Sequence, residues 1–329
     1  MRVRHFTHSF VVLLISLAVY QILRYIYAPH WQEMTDVSFG ILSGTPDWLA
    51  YQNRLLAPWL ISLISLAGFS AVSSLKIFVL LAVIAEFFLL FFLLTKSGVE
   101  DREAFGGVLA FSLLFLFIQG FSLYPWDFLD LLFFSLFGWG VFQRKSPFFF
   151  IVLFLVAITN RESGLFIGLY LLLDGFEFDP AASLGKKLRV ISKQKLIAGV
   201  VLIGLGILYV GAVRNLLFIS QPGGFLDNKH AALGNHINVI KNLHILLVDN
   251  FTNANVLHSV FLLGSLGYAL SFLRHEWKAV LVYLVMTSSV LVFGLVNESR
   301  LYAFLLPFLI FFYFSGRSAG EKAAPSQQL

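Results

Sequence analysis

The sequence predicts an all-α membrane protein, a polytopic transmembrane helical bundle of about ten spans with short hairpin or re-entrant helices among them. Its composition is the first observation behind this prediction: 58% of the 329 residues are hydrophobic and only 12% are charged, whereas soluble domains carry about 25% charged residues. The second is the mean hydropathy of +0.83, which comes from apolar runs that recur along the whole chain. A multi-pass membrane protein follows from both.

Two further features of the composition narrow the classes of function. The chain has no cysteine, so disulfides, thiolate metal sites and cysteine nucleophiles are excluded. The formal net charge is +5, and the basic residues cluster in short loops between apolar runs. That arrangement is typical of membrane topology signals, and we therefore expect membrane lipids as partners and no nucleic acid.

The apolar runs are assigned in chain order. A first span covers residues 9–28. Residues 55–68 form a short apolar segment interrupted by Pro58, which we predict to lie in the interface or re-enter without spanning. The transmembrane domain is predicted to cover residues 1–316, followed by a disordered cytoplasmic tail over 317–329. The remaining spans are predicted at residues 74–95, 105–123, 127–143, 147–159, 163–174, 196–215, 256–273, 278–296 and 301–316.

This assignment places most basic residues on one side of the membrane. Lys96, Arg102, Arg144 and Lys145 are examples. Because basic loops stay inside, both termini are predicted to be cytoplasmic in a cell inner membrane. Nearly all polar groups of interest then face outward, in the segments 29–54, 124–130, 160–162, 218–254 and 297–300.

The segment 147–174 contains two apolar runs that meet at Asn160, Arg161 and Glu162. Each run is shorter than the roughly 20 residues that cross a membrane, which predicts a hairpin with the polar triplet at its tip. Such a triplet either sets the depth of the hairpin at the interface or lines a polar site. Both interpretations stay open.

Several carboxylates are candidates for chemistry. Asp127 and Asp130 are three residues apart at the start of a predicted span, so they share one helical face. Helix capping explains Asp127 but does not explain Asp130, which lies a turn deeper. Asp36, in the first outer loop, is either a solvated loop acid or a general base held over an acceptor hydroxyl. Glu86 lies in mid-span, where a carboxylate must be neutral, paired or facing a cavity.

The arginines predicted on the outer side are Arg54, Arg161 and Arg300. A guanidinium group binds phosphate oxygens through two parallel hydrogen bonds, which suits a lipid phosphate or pyrophosphate. Anchoring to lipid headgroups explains the same positions.

With these features the chain resembles the GT-C class of polytopic glycosyltransferases. The resemblance rests on a first span, an acidic first outer loop and short hairpin spans, and it covers residues up to about 175 and the region of Glu298. The chain departs from the family pattern because that loop has no pair of adjacent acidic residues and no large outer domain is present. The motifs that carry the resemblance are Tyr51-x-x-Arg54-x-Leu56-x-Pro58, the Asn-Arg-Glu-Ser run at 160–163 and the Glu-Ser-Arg-Leu-Tyr run at 298–302.

The resemblance implies transfer of a sugar from a polyprenyl-phosphate-linked donor to an acceptor on the outer face. The catalytic acid of the family's first outer loop corresponds best to Asp36. Asp127 and Glu162 would orient the sugar or bind a metal; no cofactor is identified, and a divalent metal stays open. The residues expected to bind substrate are Arg54, Asp127, Asp130, Asn160, Arg161, Glu162, Glu298 and Arg300.

Two other functions stay open. One is a transporter or flippase for a lipid-linked or anionic substrate, with Glu86 and Asp130 in its path, and the other is a non-catalytic subunit of a membrane assembly. A transporter needs polar groups near the midplane, whereas an enzyme of this kind gathers them at one face. The outward bias of the polar segments favours the enzyme.

Overall fold

The computed structural model describes residues 2–45, 51, 53–119, 124–178, 188–216, 239–252, 255–294, 296 and 298–323. Over these residues the protein is almost entirely helical, which confirms the all-α prediction. Its α-helices are α1 (Arg2–Ile26), α2 (Trp31–Leu42), α3 (Leu56–Ser65), α4 (Ala71–Lys96), α5 (Asp101–Phe117), α6 (Pro125–Phe142), α7 (Pro147–Asn160), α8 (Leu165–Asp174), α9 (Lys193–Leu216), α10 (Val239–Leu247), α11 (Val256–Ser271), α12 (Trp277–Phe293) and α13 (Leu306–Ala323).

Shorter elements connect these helices. Strands β1 (Phe176–Phe178) and β2 (Leu188–Val190) pair antiparallel, with Phe176 opposite Val190. They lie between α8 and α9, in the segment between the predicted spans 163–174 and 196–215. Short 3-10 helices are formed by Ala28–His30, Glu162–Gly164, Asp249–Thr252 and Ser299–Leu305.

Three helical segments of the described chain are long and apolar enough to cross a membrane, namely Thr7–Ile26, Ala71–Lys96 and Lys193–Arg214. Further apolar helices are shorter than a full crossing, among them α3, α7, α11 and α12. The fold therefore has the apolar helices of a membrane-associated protein. The count of about ten spans stays a prediction.

Helix α6 is the centre of the bundle. It begins at Pro125, whose fixed backbone angle suits the first helical position. It packs against α3, α4, α7 and α13 and against the 3-10 helix Ser299–Leu305, and Trp126 and Phe137 are fully buried. Helices α4 and α6 run parallel. Glu86 in α4 accepts a hydrogen bond from Ser135 in α6 at 2.6 Å, and further along both helices Lys96 lies over the ring of Trp139 at 5.6 Å. Their N-termini therefore lie at the same end of the bundle.

Helices α7 and α8 form the predicted hairpin. The rings of Phe150 and Tyr170 are 4.8 Å apart in its middle. At its tip, a Cβ atom built on Gly164 would lie 2.8 Å from the backbone nitrogen of Ile158. This close approach lets the chain turn back within the few residues of the 3-10 helix, so Arg161 lies at the tip.

Helix α9 packs antiparallel along α8. A Cβ atom on Gly199 would lie 2.5 Å from the backbone nitrogen of Leu172, and one on Gly206 would lie 2.6 Å from Leu165. Small residues permit this close contact between helix backbones. As a result the end of α9 reaches the tip of the hairpin.

Both ends of the described chain lie at one end of the bundle. His8 near the start of α1 is 3.1 Å from Asp101 at the start of α5. Near the end of α13, the ring of Phe314 would be 2.9 Å from a Cβ atom on Gly107 in α5. The helix that carries Phe314 continues to Ala323, and the predicted boundary between the transmembrane domain and the tail at residue 316 stays a prediction.

The same end carries a concentration of basic side chains, and we call it the basic end. Lys96 and Lys145 lie over the ring of Trp139, at 5.6 and 4.2 Å from its centroid. Lys195 and Lys278 both pair with the carboxylate of Asp174, at 2.5 and 2.7 Å. The N-terminus of α6 and the hairpin tip lie at the opposite end.

Helix α3 is short, as predicted for residues 55–68. Its 10 residues rise by about 15 Å, half the thickness of the hydrocarbon core. The backbone N–H of Leu55 donates to the carbonyl oxygen of Thr159 at 3.1 Å, which joins the start of α3 to the hairpin. A single helix of this length is shorter than a full crossing, and the prediction that the segment lies in the interface or re-enters stays a prediction.

Candidate functional site

The tip of the hairpin is joined to the first turns of α6 by buried polar contacts. Arg161 Nη1 lies 3.0 Å from Asp127 Oδ1 and 3.3 Å from Asp130 Oδ2. Asn160 Nδ2 donates to Asp130 Oδ1 at 2.9 Å, and Ser163 Oγ donates to the same carboxylate at 3.2 Å. The three-residue spacing of the two aspartates puts both on the face of α6 that meets the hairpin.

Arg300 donates a hydrogen bond to the other oxygen of the Asp127 carboxylate. Its Nη1 donates to Asp127 Oδ2 at 3.0 Å, and its Nη2 donates to Glu298 Oε2 at 2.6 Å. Asp127 is 3% exposed and Arg300 is 8% exposed. Each oxygen of Asp127 thus has its own guanidinium partner, which is how a buried charge is tolerated.

Glu162 forms a second, looser group of contacts. Asn53 Nδ2 donates to Glu162 Oε2 at 2.9 Å. Arg54 Nη2 and Arg214 Nη2 are each 3.8 Å from Glu162 Oε1, a distance too long for a hydrogen bond. Arg214 Nη2 instead donates to Asn53 Oδ1 at 3.1 Å.

Aromatic rings hold two of the arginines in place. The guanidinium carbon of Arg54 lies 5.1 Å from the ring centroid of Tyr51 and 4.8 Å from that of Trp126. The guanidinium carbon of Arg300 lies 4.1 Å from the centroid of Tyr124. Tyr124 and Trp126 are stacked with centroids 4.9 Å apart. These cation–π contacts fix the orientation of the guanidinium groups.

We call this assembly the charged cluster. The structure brings together all the residues predicted to bind substrate, and their role in binding remains a prediction. The cluster contains equal numbers of arginines and carboxylates. Its members are Asn53, Arg54, Asp127, Asp130, Asn160, Arg161, Glu162, Arg214, Glu298 and Arg300.

Asp36, the predicted catalytic base, has a different setting from the one expected. It belongs to helix α2 rather than to an irregular loop, because Trp31, Met34 and Ile41 recur at helical spacing and bury one face. Asp36 lies on the exposed face and accepts a hydrogen bond from Gln32 at 2.8 Å. None of its contacts in the described part of the chain joins it to the charged cluster.

Part of the cluster is not predicted from the sequence. Arg214 is not among the predicted site residues, because its place near the end of an apolar helix equally suits a side chain that extends to the interface. Asn53 is separated from Arg214 by 161 positions, so no local pattern links the two. The aromatic residues Tyr51, Tyr124 and Trp126 are typical of a membrane interface, which conceals their contact with arginine.

Burial and charge act in opposite directions on Glu162. Partial burial on its own raises the pKa of the Glu162 carboxyl, but the guanidinium groups of Arg54 and Arg161 outweigh it and lower that pKa to about 2. Burial lowers the pKa of the Arg54 guanidinium to about 10, and the charge of Arg161 acts in the same direction. Glu162 is therefore a carboxylate at neutral pH.

The cluster does not have the donor set of a metal site. The described residues contain no group of three or more His, Asp or Glu side chains placed to hold a metal ion. The carboxylates of Asp127 and Glu162 face arginine and amide donors, so the hypothesis that they bind a metal together does not fit this arrangement. Two histidines of the predicted outer segment 218–254, His230 and His236, lie outside the described residues.

An apolar groove lies beside the cluster, between α3, α4 and α6. It encloses about 420 Å³. Leu129, which lines it, precedes Asp130 in the chain, so the groove and the cluster share a turn of α6. The groove is lined by Leu60, Leu63, Ile64, Phe78, Leu81, Ala82, Ala85, Leu129 and Leu132.

Comparison with known proteins gives no further assignment. No family model matches the chain, and comparison with curated proteins and with solved structures finds no match. The function therefore has to be inferred from the geometry of the charged cluster and its surroundings.

Proposed function

We propose that this chain is a multi-pass membrane glycosyltransferase of the GT-C type. It transfers a sugar from a polyprenyl-phosphate-linked donor to an acceptor hydroxyl on the outer face of the cell inner membrane, with both termini in the cytoplasm. The observation that carries the proposal is the charged cluster at the end of the bundle opposite the basic end, directly beside an apolar groove.

The distribution of charge supports this orientation. Lys96, Lys145, Lys195 and Lys278 lie at the basic end, and basic side chains concentrate on the cytoplasmic side of membrane proteins. The charged cluster then belongs to the outer half of the bundle, where lipid-linked sugars of this class are used.

The groove and the cluster together suit a lipid phosphate. A lipid-linked donor has its hydrocarbon chain in the bilayer and its phosphate at the border of the hydrocarbon core. An apolar groove on α3, α4 and α6 receives the chain, and guanidinium groups one turn away bind the phosphate oxygens. Asp130 follows Leu129 in the chain, and Asn160 donates a hydrogen bond to Asp130 at 2.9 Å; these two residues offer oxygens to the hydroxyl groups of the sugar.

The reaction needs a base and a stabilised leaving group. The acceptor oxygen attacks the anomeric carbon of the sugar and loses its proton to a base, for which Asp36 is the proposed residue. The bond between the anomeric carbon and the phosphate oxygen breaks, and the lipid phosphate leaves with the bonding electrons. Arginines of the cluster stabilise the charge that develops on that phosphate.

A transporter or flippase is the second candidate, and Glu86 is the observation that favours it. This carboxylate is 1% exposed inside the bundle and accepts a hydrogen bond from Ser135 at 2.6 Å. Buried ionisable residues within the membrane commonly line transport paths. The enzyme is preferred because the charged residues of the cluster lie at one end of the bundle rather than around Glu86.

The proposal is tested with purified protein and a polyprenyl-phosphate donor carrying a radiolabelled sugar, incubated with candidate acceptors. We expect release of polyprenyl phosphate together with a labelled product. Asp36→Asn nearly keeps the shape of the side chain but removes its proton-accepting capacity, so the rate is expected to fall by about 10²–10⁴-fold. Transfer by Asp36→Asn at the wild-type rate would exclude Asp36 as the base, and an intact donor would contradict the proposed function.

A further inference from the structure

We infer that Glu162 is a displaceable occupant of an anion site built by Asn53, Arg54 and Arg214, and that a phosphate group of the ligand takes its place. The inference rests on the proposed function, because the phosphate of a lipid-linked donor is the ligand that this site would bind. It assigns the phosphate to a different set of arginines from the one that the sequence predicts.

The contacts of Glu162 are those of a ligand held loosely. One oxygen accepts a hydrogen bond from the Asn53 amide at 2.9 Å. The other lies 3.8 Å from both Arg54 Nη2 and Arg214 Nη2, beyond hydrogen-bond distance. The Glu162 side chain is also 37% exposed, whereas Arg54 beside it is buried. The carboxylate therefore has room to turn towards solvent.

Each of the two arginines keeps one buried N–H donor that is not used. Arg54 Nε and Arg214 Nε are buried and have no hydrogen-bond partner within the described part of the chain. Arg54 is only 6% exposed, so water does not readily satisfy its N–H group. Buried N–H groups of charged side chains are rarely left without a partner. A phosphate group, which has more acceptor oxygens than a carboxylate, can use these donors.

The other arginines of the cluster are not free in the same way. Arg161 and Arg300 each lie 3.0 Å from a different oxygen of Asp127. Turning either of them towards a ligand leaves the buried Asp127 carboxylate without that partner, which is costly. Arg54 and Arg214 lose no hydrogen bond to a carboxylate when Glu162 turns away.

The inference is tested by isothermal titration calorimetry of the purified full-length protein in detergent. The probes are geranyl phosphate, inorganic phosphate and geraniol. Glu162→Gln keeps the size of the side chain and removes the competing charge, so we expect it to bind geranyl phosphate at least about tenfold more tightly than wild type. Arg214→Gln is expected to bind it at least about tenfold more weakly.

The control is Asp101→Asn, which makes the same change in net charge at the basic end, where Asp101 pairs with His8. We expect it to bind geranyl phosphate with wild-type affinity. If Glu162→Gln binds geranyl phosphate no more tightly than wild type, or if Arg214→Gln binds it equally well, the inference is wrong. Equal gains in affinity for inorganic and geranyl phosphate would identify free phosphate as a sufficient ligand, and a gain for geranyl phosphate alone would identify the lipid phosphate.

This test is separate from the test of sugar transfer. If the affinities change as expected but the wild-type protein consumes no lipid-linked sugar, the anion site is supported and the proposed glycosyltransferase activity is contradicted. If sugar is transferred but Glu162→Gln leaves the affinity for phosphate unchanged, the proposed glycosyltransferase activity is supported, and Glu162 is not a displaceable occupant of the anion site.

Discussion

At the scale of single residues, the decisive feature is that Asp127 is shared between Arg161 and Arg300. Removing one partner of a buried ion pair leaves an uncompensated charge, at a cost of about 3–5 kcal/mol. We therefore expect Arg161→Met to lower the free energy of unfolding by about this amount, measured by denaturant unfolding in mixed micelles. Arg24→Met removes an arginine from an exposed position of α1 and is expected to have little effect. Equal stability of the two variants would show that the ion pair is not formed.

Glu162 gives a prediction about pH. Its pKa lies below the ordinary value of 4.5, at about 2, because Arg54 and Arg161 outweigh the effect of burial. A carboxyl whose folded-state pKa is lowered stabilises the folded protein above pH 4.5, and this contribution is lost as the pH falls towards 2. Wild type is therefore expected to lose more thermal stability between about pH 6 and about pH 3 than Glu162→Gln does.

The matched control for this measurement is Glu100→Gln, at an exposed position before α5. It is expected to show the same loss of melting temperature on acidification as wild type. An identical pH profile for Glu162→Gln and wild type would contradict the interaction of Glu162 with the arginines.

Individual residues of the cluster can be predicted from the sequence only where a local pattern marks them. Asp130 is marked by its depth in an apolar helix, and Arg161 by its place between two apolar runs. No local sequence pattern identifies Asn53 or Arg214, since their contact depends on how α9 packs along α8. Asp36 is predicted in a loop because the segment 29–54 is polar between two apolar runs, although the spacing of Trp31 and Met34 indicates a helix.

At the scale of helices, the site depends on the close packing of α9 along α8, which brings Arg214 to the hairpin tip. A Cβ atom on Gly199 would lie 2.5 Å from the backbone of Leu172, whereas one on Gly204 would have no neighbour within 4 Å. We expect Gly199→Val to lower the free energy of unfolding by about 1–3 kcal/mol through overpacking. Gly204→Val, on the same helix, is expected to remain near wild type. A stability loss of the same size in both variants would contradict the close packing of α8 and α9.

The hairpin itself can be predicted, because two short apolar runs around a polar triplet leave few other arrangements in a membrane. For α3, only its shortness can be predicted from the sequence. Its attachment to the hairpin through Leu55 and Thr159 is a long-range contact, and sequence spacing contains no information about it.

At the scale of the whole molecule, the proposed function requires the two ends of the bundle to face opposite sides of the membrane. The chain has no cysteine, so single cysteines report accessibility directly. Glu100→Cys lies near the basic end, before α5, and Leu66→Cys follows α3 at the other end. In intact cells, a membrane-impermeant thiol reagent is expected to label Leu66→Cys and not Glu100→Cys. Labelling of Glu100→Cys from outside would contradict the proposed orientation and indicate the opposite one.

Sugar transfer, and not transport, is the activity that we propose for the charged cluster. The most direct measurement uses the purified protein in liposomes, with a polyprenyl-phosphate donor carrying a labelled sugar in the outer leaflet. We predict that the sugar passes to an acceptor, that polyprenyl phosphate accumulates and that Arg54→Gln slows both, while donor does not exchange between leaflets faster than in protein-free liposomes. Movement of intact labelled donor to the inner leaflet without transfer of its sugar would contradict this assignment and establish the transporter.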